Sequence, residues 1–227
     1  GQWPISDGAL TVAELLQEAG YKTAMIGKWG LGVENTSGDP LKQGFDFYYG
    51  YLDQVLAHNY YPEYLLRNGK KEYLDNEVQY HDSTLWHKGL GSHSTVKNEY
   101  SHDLFTQEAL RFIREHRDSL FFLYLPYTVP HSSGEPEGGE RYQVPDFGIY
   151  ADRDWPKDRK GYAAMISRMD RDVGRIMQLV DDLGLSERTV IFFTSDNGMR
   201  GLKHYFNPNG PFRGGKHDLY EGGIRVP

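Results

Sequence analysis

Four polar clusters in this 227-residue chain carry side chains suited to work on an anion. Lys28 closes the run Met25-Ile26-Gly27-Lys28, and His131 stands between Pro130 and Ser132. Asp196-Asn197 precede Gly198, and Lys216 follows Arg213-Gly214-Gly215 and precedes His217. An ammonium group neutralises an oxyanion as a compact point charge. An imidazole titrates near neutral pH and so serves as a general acid or base. A carboxylate beside an amide carbonyl offers hard oxygen ligands for Ca²⁺ or Mg²⁺. Together, two lysines, a histidine and a hard-cation pair suit the transfer of a tetrahedral oxyanion, sulfate or phosphate. Taken singly, each has an ordinary alternative: an Asx turn capping a strand end, a surface lysine, a solvated loop histidine.

Elements must bring these residues to one place. Thr11 caps a short helix over 11–19 in which Val12, Leu15, Leu16 and Ala19 share a face and Gly20 stops the chain. A short buried strand follows over 21–26. Residues 33–100 read as irregular, rich in turn residues, with an aromatic cluster of Phe45, Phe47, Tyr48, Tyr49, Tyr51, Tyr60, Tyr61 and Tyr64 and a hairpin around Asn68-Gly69. A second helix is expected over 102–116 with Phe105, Ala109, Phe112 and Ile113 inward. The apolar run 119–125 then reads as a strand buried on both faces. A third helix over 160–183 carries Met165, Ile166, Met169, Val173, Ile176, Met177 and Val180 on one face, and 189–194 reads as another fully buried strand. Alternating helices and apolar strands predict an α/β fold, a mostly parallel sheet sandwiched by helices. In such sheets ligands bind beyond the carboxyl ends of the strands, where Lys28, His131 and Asp196-Asn197 all fall.

Composition narrows the classes. With 25 Lys+Arg against 32 Asp+Glu the net charge is −7, which gains nothing from the counterion release that drives sequence-general nucleic-acid binding. No apolar run approaches the roughly 20 residues of a membrane span. The absence of cysteine excludes a disulfide scaffold, a thiolate metal site and a cysteine nucleophile within these residues. The chain opens Gly1-Gln2-Trp3-Pro4 and stops at Arg225-Val226-Pro227, so the expectation is an internal segment of a longer protein, truncated at both ends.

Leu10-Thr11-Val12-Ala13-Glu14-Leu15-Leu16-Gln17-Glu18-Ala19-Gly20-Tyr21-Lys22-Thr23-Ala24-Met25-Ile26-Gly27-Lys28-Trp29 closely resembles a signature of the formylglycine-dependent (type I) sulfatases. Further segments match that family in order: Gln43-Gly44-Phe45-Asp46-Phe47-Tyr48-Tyr49-Gly50-Tyr51, Pro130-His131, Thr194-Ser195-Asp196-Asn197-Gly198, and Gly214-Gly215-Lys216 through Tyr220-Glu221-Gly222-Gly223-Ile224-Arg225-Val226-Pro227. The resemblance is to an arylsulfatase-type member of the alkaline-phosphatase-like superfamily. It implies a partial catalytic domain over 1–227 in which Lys28 and Lys216 hold sulfate oxygens, Lys216 lying near the leaving oxygen. His131 then protonates the departing alcohol or phenol, His58 touches sulfate or substrate, and Asp196 and Asn197 form half of a Ca²⁺ site, with Mg²⁺ as substitute. It further implies a formylglycine nucleophile lying before this segment, a small-molecule or saccharide sulfate ester as substrate, and a periplasmic, secreted or lysosomal location.

Two departures bear on that picture. The family's nucleophile motif and paired metal-binding aspartates precede the segment matching Thr11, so these residues alone are expected to be inactive. Gly30 stands where the family places a histidine, and His58, His204 and His217 are the candidates to take over its role. A phosphatase or phosphodiesterase of the same superfamily, and a sulfatase-like oxyanion- or glycan-binding module without a nucleophile, are the competing functions. Exposed sheet surface is expected to make the isolated chain self-associate.

Overall fold

Thr11 and Glu14 start the first helix reciprocally. The Thr11 hydroxyl oxygen accepts from the Glu14 N–H at 3.1 Å while the Glu14 carboxylate accepts from the Thr11 N–H at 2.8 Å, capping helix α1, Val12–Glu18. Gly20, at φ +87°, turns the chain into strand β1, Lys22–Lys28. Strand β2, Phe47–Tyr51, lies parallel to β1, with Ala24 opposite Phe47 and Lys28 opposite Tyr51. Strands β3, Tyr64–Arg67, and β4, Lys70–Tyr73, form the expected hairpin through Asn68 (φ +46°) and Gly69 (φ +80°), both in the left-handed region. Strands β5, Asn76–Tyr80, and β6, Ser92–Lys97, pair as a separate two-stranded sheet. Helix α2, Ser101–Glu115, leads to β7, Phe121–Tyr124, and helix α3, Lys157–Asp182, follows.

This computed structural model describes residues 3–133, 140–199 and 206–226. The chain divides into two compact units, residues 1–185 and 186–227. In the first, the main sheet runs β4-β3-β2-β1-β7; β2, β1 and β7 are parallel, and the β3–β4 hairpin extends the sheet antiparallel. Ala24, Ile26, Tyr49 and Tyr51 pack on Phe105, Ala109 and Phe112 of α2 on one face. Met25 and Tyr48 pack with Ala13 of α1, Trp29, Phe45 and Leu52 on the other. Leu110 and Ile113 of α2 meet Leu179, Val180 and Leu185 along α3. Helices thus cover both faces, as the α/β reading requires. The second unit contains a 3₁₀ turn, Ser186–Arg188, and a short helix α4, Glu221–Ile224. Among the described residues no helix is long and apolar enough to cross a membrane.

Several expectations need correction. The segment 189–194 forms no strand, and Val190 and Phe192 are 77 % and 88 % exposed. Its β-branched and aromatic residues favour a strand, but a strand also needs a ladder to take its N–H and C=O groups, and among the described residues this segment forms none. Strand β7 is not buried on both faces: it pairs with β1 and, among the described residues, has no partner on its other edge, where Leu120 and Tyr124 stay exposed. Helix α1 turns Ala13 inward and leaves Val12 and Leu15 exposed. The Gly44 backbone decides this: a Cβ there would lie 2.2 Å from the Glu14 nitrogen, and the Thr11 hydroxyl donates to the Gln43 carbonyl at 2.9 Å. Met177 on α3 is likewise exposed. The stretch 33–100, read as irregular, supplies β2 through β6.

A charged cluster locks α2 to α3. His102 and Asp172 both have fully buried side chains, and His102 Nε2 lies 3.1 Å from Asp172 Oδ2. Arg171 donates to both carboxylate oxygens, at 2.9 and 3.0 Å, and Arg175 donates to Oδ1 at 3.0 Å. Burial alone would raise the Asp172 pKa, but the hydrogen bonds from His102, Arg171 and Arg175 outweigh it and hold the carboxyl well below the usual carboxylate range. A depressed folded-state pKa stabilises above the unfolded value and loses that contribution as pH falls. Asp172→Asn in the whole protein is therefore expected to lower unfolding free energy by about 3 kcal/mol at pH 7. Urea titrations should show the gap to wild type narrowing below about pH 5; a gap that is constant down to acid pH would contradict this account.

Candidate active site

Lys28 is the last residue of β1, at its carboxyl end, and is half-buried. Its N–H donates to the Pro126 carbonyl, just past β7, at 2.9 Å. That approach requires glycine beside it. A Cβ on Gly27 (φ +134°) would sit 2.2 Å from the Pro126 oxygen, and one on Gly50 (φ +148°) 1.9 Å from the Gly27 oxygen. The next residue is anchored too: Trp29 donates its N–H to the Tyr51 carbonyl at 2.9 Å and its indole N–H to the Gly38 carbonyl at 2.6 Å. Gly30 adopts φ +83°, and a Cβ there would meet Gln54 Nε2 at 2.5 Å. The place where a side chain would leave position 30 is filled by Gln54.

His131 follows β7 in a loop fastened by the aromatic cluster of Tyr60, Tyr61, Tyr100, Val129 and Met165. The hydroxyl of Tyr60 donates to the His131 carbonyl. Burial pushes the Tyr60 pKa well above its ordinary value, so this hydroxyl keeps its proton. His58 ends a 3₁₀ turn, Leu56–His58, which the Asp53 carboxylate caps by accepting from the N–H groups of Val55 (2.7 Å) and Leu56 (3.0 Å). The rings of His58 and His131 stack at 4.6 Å between centroids and 7° between planes. His131 Nδ1 lies 2.8 Å from the Ser132 carbonyl, and His58 Nδ1 lies 2.8 Å from the Gly89 carbonyl. A carbonyl only accepts, so each Nδ1 carries hydrogen and each ring exchanges its proton at Nε2.

The second unit holds the remaining candidates. Asp196 is exposed and Asn197 half-buried in one turn, and Lys216 is half-buried after Gly215. Their two turns are bound to each other through the backbone. Asn209 accepts from the Met199 N–H and donates to the carbonyls of Met199 and Gly214, each at 3.0 Å. The Gly198 N–H donates to Gly223 at 2.9 Å, and a Cβ on Gly215 would lie 2.5 Å from the Met199 oxygen. The structure thus brings His58 beside His131 at the strand ends that also carry Lys28, and holds the Asp196-Asn197 turn close to the Lys216 turn. His217 is exposed at φ +75°, and His204 lies outside the described residues.

The donor chemistry of Asp196-Asn197, a carboxylate and an amide oxygen open to solvent, fits a hard cation. The His102, Asp103 and Asp172 group also brings ligand atoms within 4.8 Å of one another. It does not fit a cation: Arg168 holds Asp103 through two hydrogen bonds, and Arg171 and Arg175 hold Asp172. Sequence reading missed Tyr60, Gln54 and Gly89 as supports. Tyr60 lies two residues after His58, within the aromatic cluster, but nothing in the sequence says whose carbonyl its hydroxyl meets.

The family model described as Sulfatase matches residues 2–227. An arylsulfatase of Hemicentrotus pulcherrimus is 32 % identical, over 96 % of this chain and 37 % of its own length. The N-acetylgalactosamine-6-sulfatase of Canis lupus familiaris is 31 % identical, over 98 % of this chain and 40 % of its own. The chain therefore spans well under half the length of these relatives. The solved structure of Ps i-CgsB in complex with k-i-k-neocarrahexaose superposes with a TM-score of 0.75 at 27 % identity, covering 100 % of this chain and 48 % of that one.

Asn209→Ala removes the bonds that tie Met199 to Gly214. Hydrogen exchange of the Met199 amide in the whole protein is expected to accelerate about tenfold or more, the equivalent of one lost hydrogen bond. Unchanged protection would show that Asn209 does not hold the two turns together.

Proposed function

The chain belongs to the sulfatase family, and from that premise we propose that the whole protein hydrolyses sulfate monoesters of saccharides. The observation that carries this reading is the placing of Lys28, His58 and His131 at and beyond the carboxyl ends of adjacent parallel strands. A relative named for N-acetylgalactosamine 6-sulfate chemistry and a fold neighbour solved with a neocarrahexaose support a sugar over a simple aryl ester.

The family kinship supports Lys28 and Lys216 as the cations that neutralise the sulfate oxygens, with Lys216 also serving the leaving oxygen. His58 contacts the sulfate. As the sulfur–oxygen bond breaks, the electron pair goes to the leaving oxygen and His131 Nε2 delivers its proton there, producing the alcohol. The Ser132 carbonyl keeps Nδ1 protonated throughout, so Nε2 is the atom that loses and regains the proton. Asp196 and Asn197 would hold Ca²⁺, or Mg²⁺ in its place, and a formylglycine outside this segment would provide the nucleophile; these groups supply charge neutralisation and covalent attack. The same kinship supports a periplasmic or secreted location, lysosomal in a eukaryote.

Turnover of aryl sulfate, sugar sulfate and aryl phosphate by the whole protein tests the reading. Sulfate esters are expected to be hydrolysed and the phosphate not. Preference for phosphate would favour the phosphatase alternative, and binding without turnover would favour an oxyanion-binding module. Lys28→Ala should lower kcat/KM by roughly 10²–10³-fold with every sulfate ester. His131→Ala should cost roughly 10²-fold with a sugar sulfate but far less with nitrophenyl sulfate, whose leaving group needs no proton. Equal losses on both substrates would remove His131 from the acid role. The exposed edge of β7 supports self-association of the isolated 227-residue chain. Sedimentation velocity is expected to show dimers or larger species, and a monodisperse monomer would overturn that.

A further inference from the structure

We propose that the backbone carbonyl of Gly89 is a positioning group for the active site, fixing His58 in its Nδ1–H form from a chain excursion between β5 and β6. The inference deepens the sulfatase reading, since it rests on His58 contacting the substrate. The excursion is short and rigidly built. Asp82 caps a 3₁₀ helix, Ser83–Lys88, by accepting from the Thr84 N–H at 2.8 Å, and Gly89 closes it at φ +78°, its N–H donating to the Trp86 carbonyl at 2.9 Å. In that conformation the Gly89 carbonyl reaches His58 Nδ1 at 2.8 Å. A larger residue is strained there: the backbone is at φ +78°, and a Cβ on Gly89 would stand 3.1 Å from both Cε1 and Nδ1 of the imidazole, so the ring would have to give way.

The excursion is also fastened beside its target. Asn59, next to His58, donates to the Ser92 hydroxyl at 3.2 Å and accepts from the Ser94 hydroxyl at 2.9 Å, so β6 is bound to the turn that carries His58. Gly91 lets the strand start against that turn, since a Cβ there would lie 2.8 Å from Val55 Cγ1. The chemical consequence follows from the acceptor. A carbonyl keeps hydrogen on Nδ1 in both charge states, so His58 meets an anion through Nε2, as acceptor when neutral and as donor when protonated. Without the Gly89 carbonyl that acceptor no longer holds hydrogen on Nδ1, and rings in the other tautomer would present an N–H instead of a lone pair at Nε2.

Histidine-labelled whole protein tests this directly, because ¹⁵N and ¹³C shifts of the imidazole report its tautomer without any turnover. Wild type is expected to show neutral His58 as the Nδ1–H form, and Gly89→Ala, whose Cβ crowds the ring and whose left-handed backbone is strained, to move the carbonyl off Nδ1 and show a mixture. Lys88→Ala, a change on the exposed face of the same excursion, should leave the tautomer unchanged. In kinetics, Gly89→Ala should raise KM for a sulfate ester about tenfold with a smaller effect on kcat, as expected for the loss of one hydrogen bond to a group that becomes charged. An Nε2–H ring in wild type, or a Gly89→Ala ring that keeps its tautomer although the carbonyl has been displaced from Nδ1, would overturn the proposal. Absence of sulfate-ester turnover in wild type would instead overturn the functional reading and leave the tautomer result standing.

Discussion

At Lys28 three chain segments come closer than side chains permit. The Gly27 and Gly50 positions press against the Pro126 and Gly27 carbonyls, and only hydrogen on the α-carbon leaves room. Every candidate residue of the first unit is referred to this contact. Strand β1 carries Lys28, β2 leads to the turn of His58, and Pro126 begins the loop that ends in His131. Because the contact is backbone to backbone, it sets the relative height of the strand ends with little freedom. Side-chain packing could be varied around it; the approach itself could not.

Farther from the sheet edge, polar groups do the holding. Three tyrosines, a valine and a methionine form the cluster beneath the His131 loop, and a tyrosine hydroxyl passes from it to the His131 carbonyl. On the other side Tyr127 joins the same loop to α2, its hydroxyl 2.8 Å from Thr106, which in turn neighbours the Asp172 carboxylate. The loop that bears His131 is thus pinned from two directions, once by the aromatic core and once by the buried ion cluster. Rigid placement of a proton donor is what catalysis by positioned groups requires.

Local signals in the sequence predicted much of this and failed where partners decide. The Thr11 cap, the Asn68-Gly69 turn and the inward set Phe105, Ala109, Phe112 and Ile113 of α2 are written in a few nearby residues, and each element appears within a residue or two of where it is read. The run 189–194 has strand composition yet no ladder, and Phe47–Tyr51 is a central strand hidden inside an aromatic stretch that lacks simple alternation. Which face of α1 turns inward was set by a glycine some thirty residues away. Lys28, His131, Asp196 and Lys216 stood out as candidates because residue types that bind anions and cations are few and here follow strand ends or glycine turns. Tyr60 and Gly89 did not, since a hydroxyl or a carbonyl becomes functional only through what it faces.

Position 30 has a coupled neighbour. With the backbone at φ +83° and Gln54 lodged where a side chain would emerge, the two positions share one volume. With Gln54 in this rotamer a side chain at position 30 has no room, so bulk at position 30 requires the exposed Gln54 side chain to swing aside. Grafting an imidazole at position 30 therefore asks two things at once: a side chain that tolerates a left-handed backbone, and a Gln54 side chain turned out of its path toward solvent.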